Sequence, residues 1–218
     1  MPILTTRHAR ILYLHVPKTG GSYVEDMLRS YGTVTGVRSG SDFGGLPCSP
    51  QHFHRPLIER VYAADLYELR DAFDYVFMTV REPLGRMKSE FRYRLRQDRG
   101  ARVARRLNMP LRFDRWLTHS LRQYQRDPFM LDNHMRPQHE FVALGAEVFR
   151  LEDGLERLVG RLDEVTGLKG TVPKNNVNVS TSHRLYDYRL RDATWRAWIA
   201  HADADYRTFM YEPQRDPP

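Results

Sequence analysis

The chain has 218 residues, of which 41% are hydrophobic, and its 34 Lys and Arg against 27 Asp and Glu give a net charge of +7. This length and composition predict one folded domain with its own hydrophobic core, and they exclude a low-complexity chain. The positive charge favours anionic partners such as nucleic acid, an anionic polysaccharide or a phosphorylated cofactor. Many of the arginines lie within residues 81–126, and arginine suits bidentate contact with phosphate or sulfate.

Cysteine content and the N-terminal residues indicate the compartment. Cys48 is the only cysteine, so an intrachain disulfide is excluded and a reducing compartment is favoured. Residues 1–10 lack the continuous apolar stretch of a signal peptide or of a membrane-spanning helix. We therefore expect a cytoplasmic protein with no membrane span.

The first predicted elements are a strand, a glycine loop and a helix. Residues 11–16 form an apolar run that stops at Pro17, which predicts a buried strand. From Ser22 onward apolar residues recur at helical spacing, and Ser22 and Glu25 have the spacing of a capping box. Residues 75–80 predict a second buried strand, and Pro83 suits the first turn of the helix that follows.

The rest of the chain continues the alternation of strands and helices. Residues 32–50 are rich in Gly, Ser and Pro and predict a long surface loop. Further helices are predicted at residues 56–69, 111–121, 155–165 and 193–210, and a further strand at 147–151. This order predicts an α/β fold, with a P-loop-like parallel sheet flanked by helices in a single domain that spans residues 1–218.

The first motif, residues 15–22, reads His-Val-Pro-Lys-Thr-Gly-Gly-Ser. Its glycines allow close approach of the backbone to a phosphate, and the following helix presents free N–H groups at its positive end. Lys18, Thr19 and Ser22 add side-chain donors. The lysine precedes the glycines, so this is not a Walker A loop, and a metal-dependent nucleoside triphosphatase is disfavoured. An ordinary strand-to-helix turn is the alternative.

The second motif, residues 81–91, lies where the second strand ends and a helix begins. Ligands of open parallel sheets bind beyond the carboxyl ends of the strands, so Arg81 is expected to share a crevice with Lys18. Ser89 follows about two helical turns later and could reach the same anion. A solvated basic helix is the alternative.

Taken together, the motifs resemble the two cofactor-binding signatures of the sulfotransferase superfamily. The similarity is to the carbohydrate branch that includes heparan sulfate 2-O-sulfotransferase and small bacterial relatives. The family transfers a sulfuryl group from 3′-phosphoadenosine-5′-phosphosulfate (PAPS) to a hydroxyl and releases adenosine 3′,5′-bisphosphate (PAP). The resemblance implies that Arg81 and Ser89 hold the 3′-phosphate and that the first loop holds the 5′-phosphosulfate through Pro17, Lys18, Thr19, Gly20, Gly21 and Ser22.

The C-terminal part, residues 170–211, is similar to a segment that closes over the cofactor in such bacterial enzymes. Lys174, Asn178 and Ser180 are candidates for this contact. Glu82 departs from the family pattern, which usually has Asp or Asn there, but this position is not expected to contact the cofactor.

Sulfuryl transfer needs a base for the acceptor proton and positive charge at the departing phosphate. Lys18 is the expected stabiliser of the leaving oxygen. The His-x-His at residues 52–54 resembles the catalytic histidine pair of the 2-O-sulfotransferase branch, which favours His54 as base and His52 second. Glu25 or Glu90 could be the base instead.

We expect no metal, because only His134 and His139 look like added ligands and nothing in the sequence makes them converge on the His-x-His. The segment that contains them, residues 134–139, is expected to be a basic loop. The alternative function classes are a polyanion or nucleic-acid binding module, a phosphotransferase and a relative that binds cofactor without turnover. A nucleic-acid binding function is disfavoured because it would leave both phosphate-binding motifs unexplained. The resemblance implies a carbohydrate acceptor, with an anionic saccharide as one candidate, and the sequence predicts no oligomeric state.

Overall fold

The computed structural model describes residues 1–36, 47–57, 72–107, 109–171 and 185–215. Residues 58–69 of the predicted helix at 56–69, and the candidate residues Lys174, Asn178 and Ser180, lie outside them.

The centre of the fold is a five-stranded sheet with the order β3-β1-β2-β4-β6. Its strands are β1 (Ile3–Thr5), β2 (Arg10–Leu14), β3 (Thr33–Thr35), β4 (Tyr75–Val80) and β6 (Glu147–Arg150). Strands β2, β4 and β6 are parallel, as predicted. Strands β1 and β3 extend this parallel part as an antiparallel edge that the sequence did not predict.

Helices cover the sheet and connect its strands. They are α1 (Gly21–Leu28), α2 (Pro83–Gln97), α3 (Arg99–Arg106), α4 (Phe113–Tyr124), α5 (Glu156–Thr166) and α6 (Asp192–Thr208). Short 3₁₀ turns lie at Pro50–His52, Gln138–Phe141 and Leu151–Asp153. A second, two-stranded parallel ladder joins β5 (Leu111–Arg112) to β7 (Tyr186–Asp187).

Each parallel strand buries alternate side chains on opposite faces of the sheet, because successive residues of a strand point to opposite sides. Tyr13 and Phe77 pack with apolar residues of α1 and α5 on one face. Leu14 and Met78 pack with residues of α2, α4 and α6 on the other. Burial on both faces explains why these strands read as continuous apolar runs, and it confirms the predicted α/β fold.

The α/β arrangement positions the candidate site. Strand β2 ends at Leu14 and β4 ends at Val80, and the two strands are hydrogen-bonded in parallel. The segments that follow them, which contain Lys18 and Arg81, therefore leave the same edge of the sheet.

Candidate functional site

The loop after β2 leads into α1 through a left-handed glycine. Gly20 is the N-cap of α1 with φ of 86°, and its carbonyl oxygen accepts hydrogen bonds from the N–H groups of Tyr23 and Val24 at 2.9 and 3.0 Å. The predicted capping box of Ser22 and Glu25 is therefore wrong, since no side chain caps this helix. The Glu25 carboxylate instead accepts a hydrogen bond from the amide of Gln51 at 2.9 Å. The first N–H groups of α1 remain available to an anion.

Gly21 is required by a neighbouring ring. A Cβ placed on Gly21 would overlap the imidazole of His15, the last residue before the loop's Val16 and Pro17. Any larger residue would thus displace either His15 or the start of α1. The second glycine of the motif serves packing as well as close approach to a ligand.

Thr19 is fully buried, and its hydroxyl is used inside the protein. The hydroxyl donates to the carbonyl oxygen of Val16 at 2.8 Å and lies 3.1 Å from the hydroxyl of Thr79 on β4. Thr79 also bonds the phenol of Tyr13 at 2.7 Å. Thr19 therefore fixes the loop to β4, and Thr79 in turn is bonded to Tyr13 of β2. The hydroxyl and the carbonyl oxygen of Thr19 are thus both occupied, which leaves its backbone N–H to contact a ligand.

Lys18 presents a partly desolvated positive charge. Its ammonium group lies 4.0 Å from the centre of the Tyr93 ring, and within the described part of the chain no hydrogen bond or ion pair occupies it. Burial lowers the pKa of Lys18 to about 8; Glu90 opposes this shift, while Arg96, Arg94 and Arg81 add to it. A weakly hydrated lysine that lies among other cations is suited to binding an anion.

Arg81, the first residue after β4, has a firmly held backbone. Its N–H donates to the side-chain oxygen of Gln138 at 3.0 Å, and its carbonyl oxygen accepts from the Gln138 amide at 2.8 Å. Gln138 is fully buried, and its own N–H donates to the carboxylate of Asp205 on α6 at 2.8 Å. Burial, and then the charge of Arg92, lower the pKa of Arg81. The guanidinium thus starts from a rigid point of attachment at the edge of the sheet.

Glu82 caps helix α2. Its carboxylate accepts hydrogen bonds from the N–H groups of Leu84 and Gly85 and from the hydroxyl of Tyr206 on α6. Asp and Asn are preferred N-cap residues because their side-chain oxygens accept the same backbone N–H groups. Glu82 therefore keeps the capping role of the Asp or Asn that the family usually has at this position. The C-terminal helix therefore supports the second motif from behind.

Ser89 lies on α2 two turns after the N-terminus of the helix and is partly exposed. Arg86, which shares this motif, is almost fully buried. It donates to three backbone carbonyl oxygens, those of Pro17, His134 and Arg136, at 3.4, 3.1 and 2.6 Å. Arg86 therefore connects the first loop to the segment around His134 and is not available to a ligand.

Three histidines, His15, His52 and His134, form a cluster beside the loop. The rings of His15 and His52 are 5.3 Å apart, and those of His52 and His134 are 4.9 Å apart, both in edge-to-face contact. His134 in turn stacks on Tyr93 at 6.3 Å, and Tyr93 carries the Lys18 ammonium on its ring. The histidine cluster is thus continuous with the residue expected to bind the phosphosulfate.

Two carboxylates orient this cluster. Asp132 accepts from Nδ1 of His52 at 2.8 Å, and Glu90 accepts from Nδ1 of His134 at 2.7 Å. Burial would raise the pKa of Glu90, but His134 and the cations Arg94 and Lys18 lower it to about 2. Burial lowers the pKa of His134, and Glu90 opposes that shift. His52 and His134 are each held through Nδ1, so the Nε2 atom of each ring has a defined direction.

His54 lies apart from this cluster. Its ring packs edge-to-face on Phe129 and Phe141 at 5.6 and 6.5 Å, and its Nδ1 is 3.4 Å from the amide nitrogen of Asn133. Burial, followed by the charge of Arg136, lowers the pKa of His54 to about 4. Of the two residues of the His-x-His, the structure therefore brings His52 to the loop.

Sequence reasoning missed Tyr93 as the neighbour of Lys18, and it missed Asp132 and His134 as partners of His52. The segment at 134–139 was expected to be a basic loop, yet His134, Arg136 and Gln138 are buried. No local signal in the sequence marks His134, because its contact with Glu90 joins residues 44 positions apart.

Comparison with known proteins agrees with this architecture. The sequence model of the sulfotransferase family matches residues 1–211. No curated protein and no solved structure is similar enough to this chain to count as a match. Among the described helices, none has the length and apolar character needed to cross a membrane. The family match covers nearly the whole chain, including both motifs, and the chain therefore belongs to the sulfotransferase family.

Proposed function

We propose that this protein transfers a sulfuryl group from PAPS to a hydroxyl of a carbohydrate acceptor. The observation that carries the proposal is the position of Lys18 and Arg81, which follow adjacent parallel strands at one edge of the sheet. The charge of Arg81 is close enough to affect the pKa of Lys18. Two cations so placed can bind the two anionic ends of one nucleotide.

The phosphosulfate end binds the loop of residues 17–22. Free N–H groups at the start of α1, from Gly20, Gly21 and Ser22, donate to its oxygens, and the Ser22 hydroxyl is exposed and can add a bond. Thr19 contributes its backbone because its hydroxyl is already bonded. The positive charge of Lys18 completes this half of the site.

The 3′-phosphate end binds Arg81 and Ser89. A guanidinium can donate two parallel hydrogen bonds to a phosphate, which makes Arg81 the principal contact and Ser89 the secondary one. Lys174, Asn178 and Ser180 cover the bound nucleotide in this proposal, as the family resemblance implies.

In the transfer step the acceptor oxygen attacks the sulfur in line with the departing phosphate oxygen. The new S–O bond forms as the old one breaks, and PAP leaves with its charge stabilised by Lys18. His52 takes the proton of the acceptor hydroxyl, since Asp132 holds its Nδ1 and leaves Nε2 as the basic atom. The chemistry needs no metal, because lysine and backbone donors supply the positive charge.

The His-x-His resemblance favours His54 as the base. In the structure, His54 packs against Phe129, Phe141 and Asn133, away from the loop, and we therefore assign the role of base to His52. The assignment is tested by comparing His52→Ala with His54→Ala. We expect His52→Ala to lose transfer while it still binds PAP, and His54→Ala to retain transfer. Loss of transfer in His54→Ala alone would return the role to His54.

The cofactor is tested by thermal unfolding with PAP, because a ligand that binds only the folded state raises the melting temperature. We expect PAP to raise the melting temperature of the parent protein. In Lys18→Ala and Arg81→Ala, most of this rise should be lost. Transfer from PAPS to a panel of saccharides should proceed in the presence of a chelator. Dependence on Mg²⁺ with a nucleoside triphosphate donor would instead support a phosphotransferase.

A further inference from the structure

Two histidines and one carboxylate converge beside the loop. One donor atom each from His52, Asp132 and His134 lies within 4.8 Å of the other two. Both histidines are less than a tenth exposed, which excludes the usual explanation of a solvated surface group. The donors come from two segments far apart in sequence, so their convergence is a property of the fold.

The backbone that presents Asp132 is strained. Leu131, Asp132 and Asn133 are consecutive non-glycine residues with positive φ, at 54°, 59° and 68°. A residue other than glycine seldom adopts this region, and three in succession make an unfavourable backbone conformation. Strain of this kind persists where surrounding contacts over-determine it, and it is concentrated at functional sites.

Several contacts hold this segment in place. The second carboxylate oxygen of Asp132 accepts the N–H of Ser49 at 2.6 Å. The buried amide of Asn133 donates to the carbonyl oxygen of His52 at 2.9 Å, and Arg94 donates to the carbonyl oxygen of Leu131 at 2.9 Å. The same residues therefore fix Asp132 relative to His52.

The second histidine has the support typical of a metal ligand. The Nδ1–H group of His134 donates a hydrogen bond to the Glu90 carboxylate, with 2.7 Å between the nitrogen and the oxygen. Glu90 is itself fully buried and paired with Arg94. A carboxylate bonded to one imidazole nitrogen fixes the ring and makes the other nitrogen a stronger ligand. Structural and catalytic zinc sites use this arrangement repeatedly.

We propose that His52, Asp132 and His134 form a site for a divalent first-row transition metal, with Zn²⁺ as the ion it fits best. Two imidazoles and one carboxylate are ligands that Zn²⁺ accepts, and water completes a tetrahedral shell. The ion occupies the space between His52 and Asp132, where it replaces their hydrogen bond. Glu90 stays outside the shell and orients His134.

The site makes the enzyme subject to reversible inhibition by zinc. An ion bound to Nδ1 of His52 leaves the ring proton on Nε2, the atom that takes the acceptor proton in the proposed mechanism, so the loaded protein binds nucleotide and fails to transfer. This consequence rests on the proposed role of His52 in sulfuryl transfer, whereas the binding of metal does not depend on it. Removal of the ion by a chelator restores turnover.

The test is a titration of the metal-free full chain with Zn²⁺ by calorimetry, and with Co²⁺ by its visible absorption. We expect one equivalent to bind in both titrations. Asp132→Asn and His52→Gln should each weaken binding by at least ~10-fold, the loss seen when even a supporting residue of a metal site is removed. Matched controls are His8→Gln and His119→Gln, which alter exposed histidines and should bind as the parent does.

Failure of the two proposals is distinguishable. Absence of tight stoichiometric binding, or equal affinity in the parent and both ligand variants, would overturn the metal site whatever the transfer assay shows. The far-ultraviolet circular dichroism spectrum shows whether Asp132→Asn folds. If it does not, the zinc affinity of His52→Gln is compared with that of the parent instead. Zinc binding without any stabilisation by PAP would leave the metal site standing and reject the proposed donor.

Discussion

The side chain of Arg86 donates a hydrogen bond to the backbone carbonyl oxygen of Pro17 at 3.4 Å, which connects helix α2 to the loop after β2. The same guanidinium also donates to the carbonyl oxygens of His134 and Arg136. One buried cation thus holds the first loop beside the segment that carries His134 of the histidine cluster.

Replacement of Arg86 should therefore destabilise the protein and the site together. We expect Arg86→Met to lower the free energy of unfolding by about 3 kcal/mol or more, because each buried carbonyl left without a partner costs about 1–3 kcal/mol. Urea denaturation measures this loss. Arg96→Met on the exposed side of the same helix is the control and should change stability by less than about 0.5 kcal/mol. Equal losses in the two variants would contradict this role for Arg86.

Arg81 should discriminate nucleotides by their 3′-phosphate. We expect the parent to prefer PAP to adenosine 5′-monophosphate, and Arg81→Ala to reduce this preference by about 10–100-fold, the value of a charge-assisted hydrogen bond of about 1.5–3 kcal/mol. Calorimetric affinities for both nucleotides give the ratio.

Lys18→Ala is the matched comparison for Arg81→Ala. Because Lys18 is assigned to the 5′ end, its loss should weaken both nucleotides alike and leave the ratio unchanged. A preference that falls in Lys18→Ala and not in Arg81→Ala would reverse the orientation of the nucleotide.

Gly21 and His15 should show strong coupling. The added methyl group of Gly21→Ala meets the His15 ring, and overpacking of this kind costs about 1–3 kcal/mol. In a His15→Ala background the space is open, so the same substitution should cost nothing, and alanine's higher helix propensity could add up to about 1 kcal/mol. The free energies of unfolding of the parent, the two single variants and the double variant form a double-mutant cycle. Additive effects in this cycle would show that the His15 ring does not limit position 21.

Nucleotide affinity should depend on pH through Lys18. The free enzyme holds Lys18 with a pKa of about 8, and a bound anion favours the charged form, so binding takes up a proton above that pH. PAP affinity should therefore fall as pH rises past about 8, by up to about tenfold per pH unit for one linked proton. Lys18→Arg should remove this slope, since a guanidinium stays charged. The same slope in both proteins would assign the dependence to another group.

The parallel core of the fold could be predicted from the sequence because its strands are buried on both faces. The runs before Pro17 and Arg81 consist almost entirely of buried residues, as expected for strands that are covered on both faces of the sheet. The antiparallel edge was missed because Ile3–Thr5 and Thr33–Thr35 are short and carry exposed threonines. Their pairing depends on partners across the sheet rather than on local pattern.

The candidate site was predictable only where local sequence determines it. The motif around Lys18 and Gly20 combines a strand end, a left-handed turn and a helix start, which neighbouring residues specify. Asp132 carries no such signal, because its position depends on three left-handed residues and on long-range bonds to Ser49 and His52. The sequence gives no local reason for the convergence of these groups.

The most direct measurement is a crystal structure of the protein with PAP bound. We expect the 5′-phosphate to contact Lys18 and the first N–H groups of α1, and the 3′-phosphate of the same molecule to contact Arg81. A nucleotide bound elsewhere, or one that reaches only one of these two cations, would contradict the account.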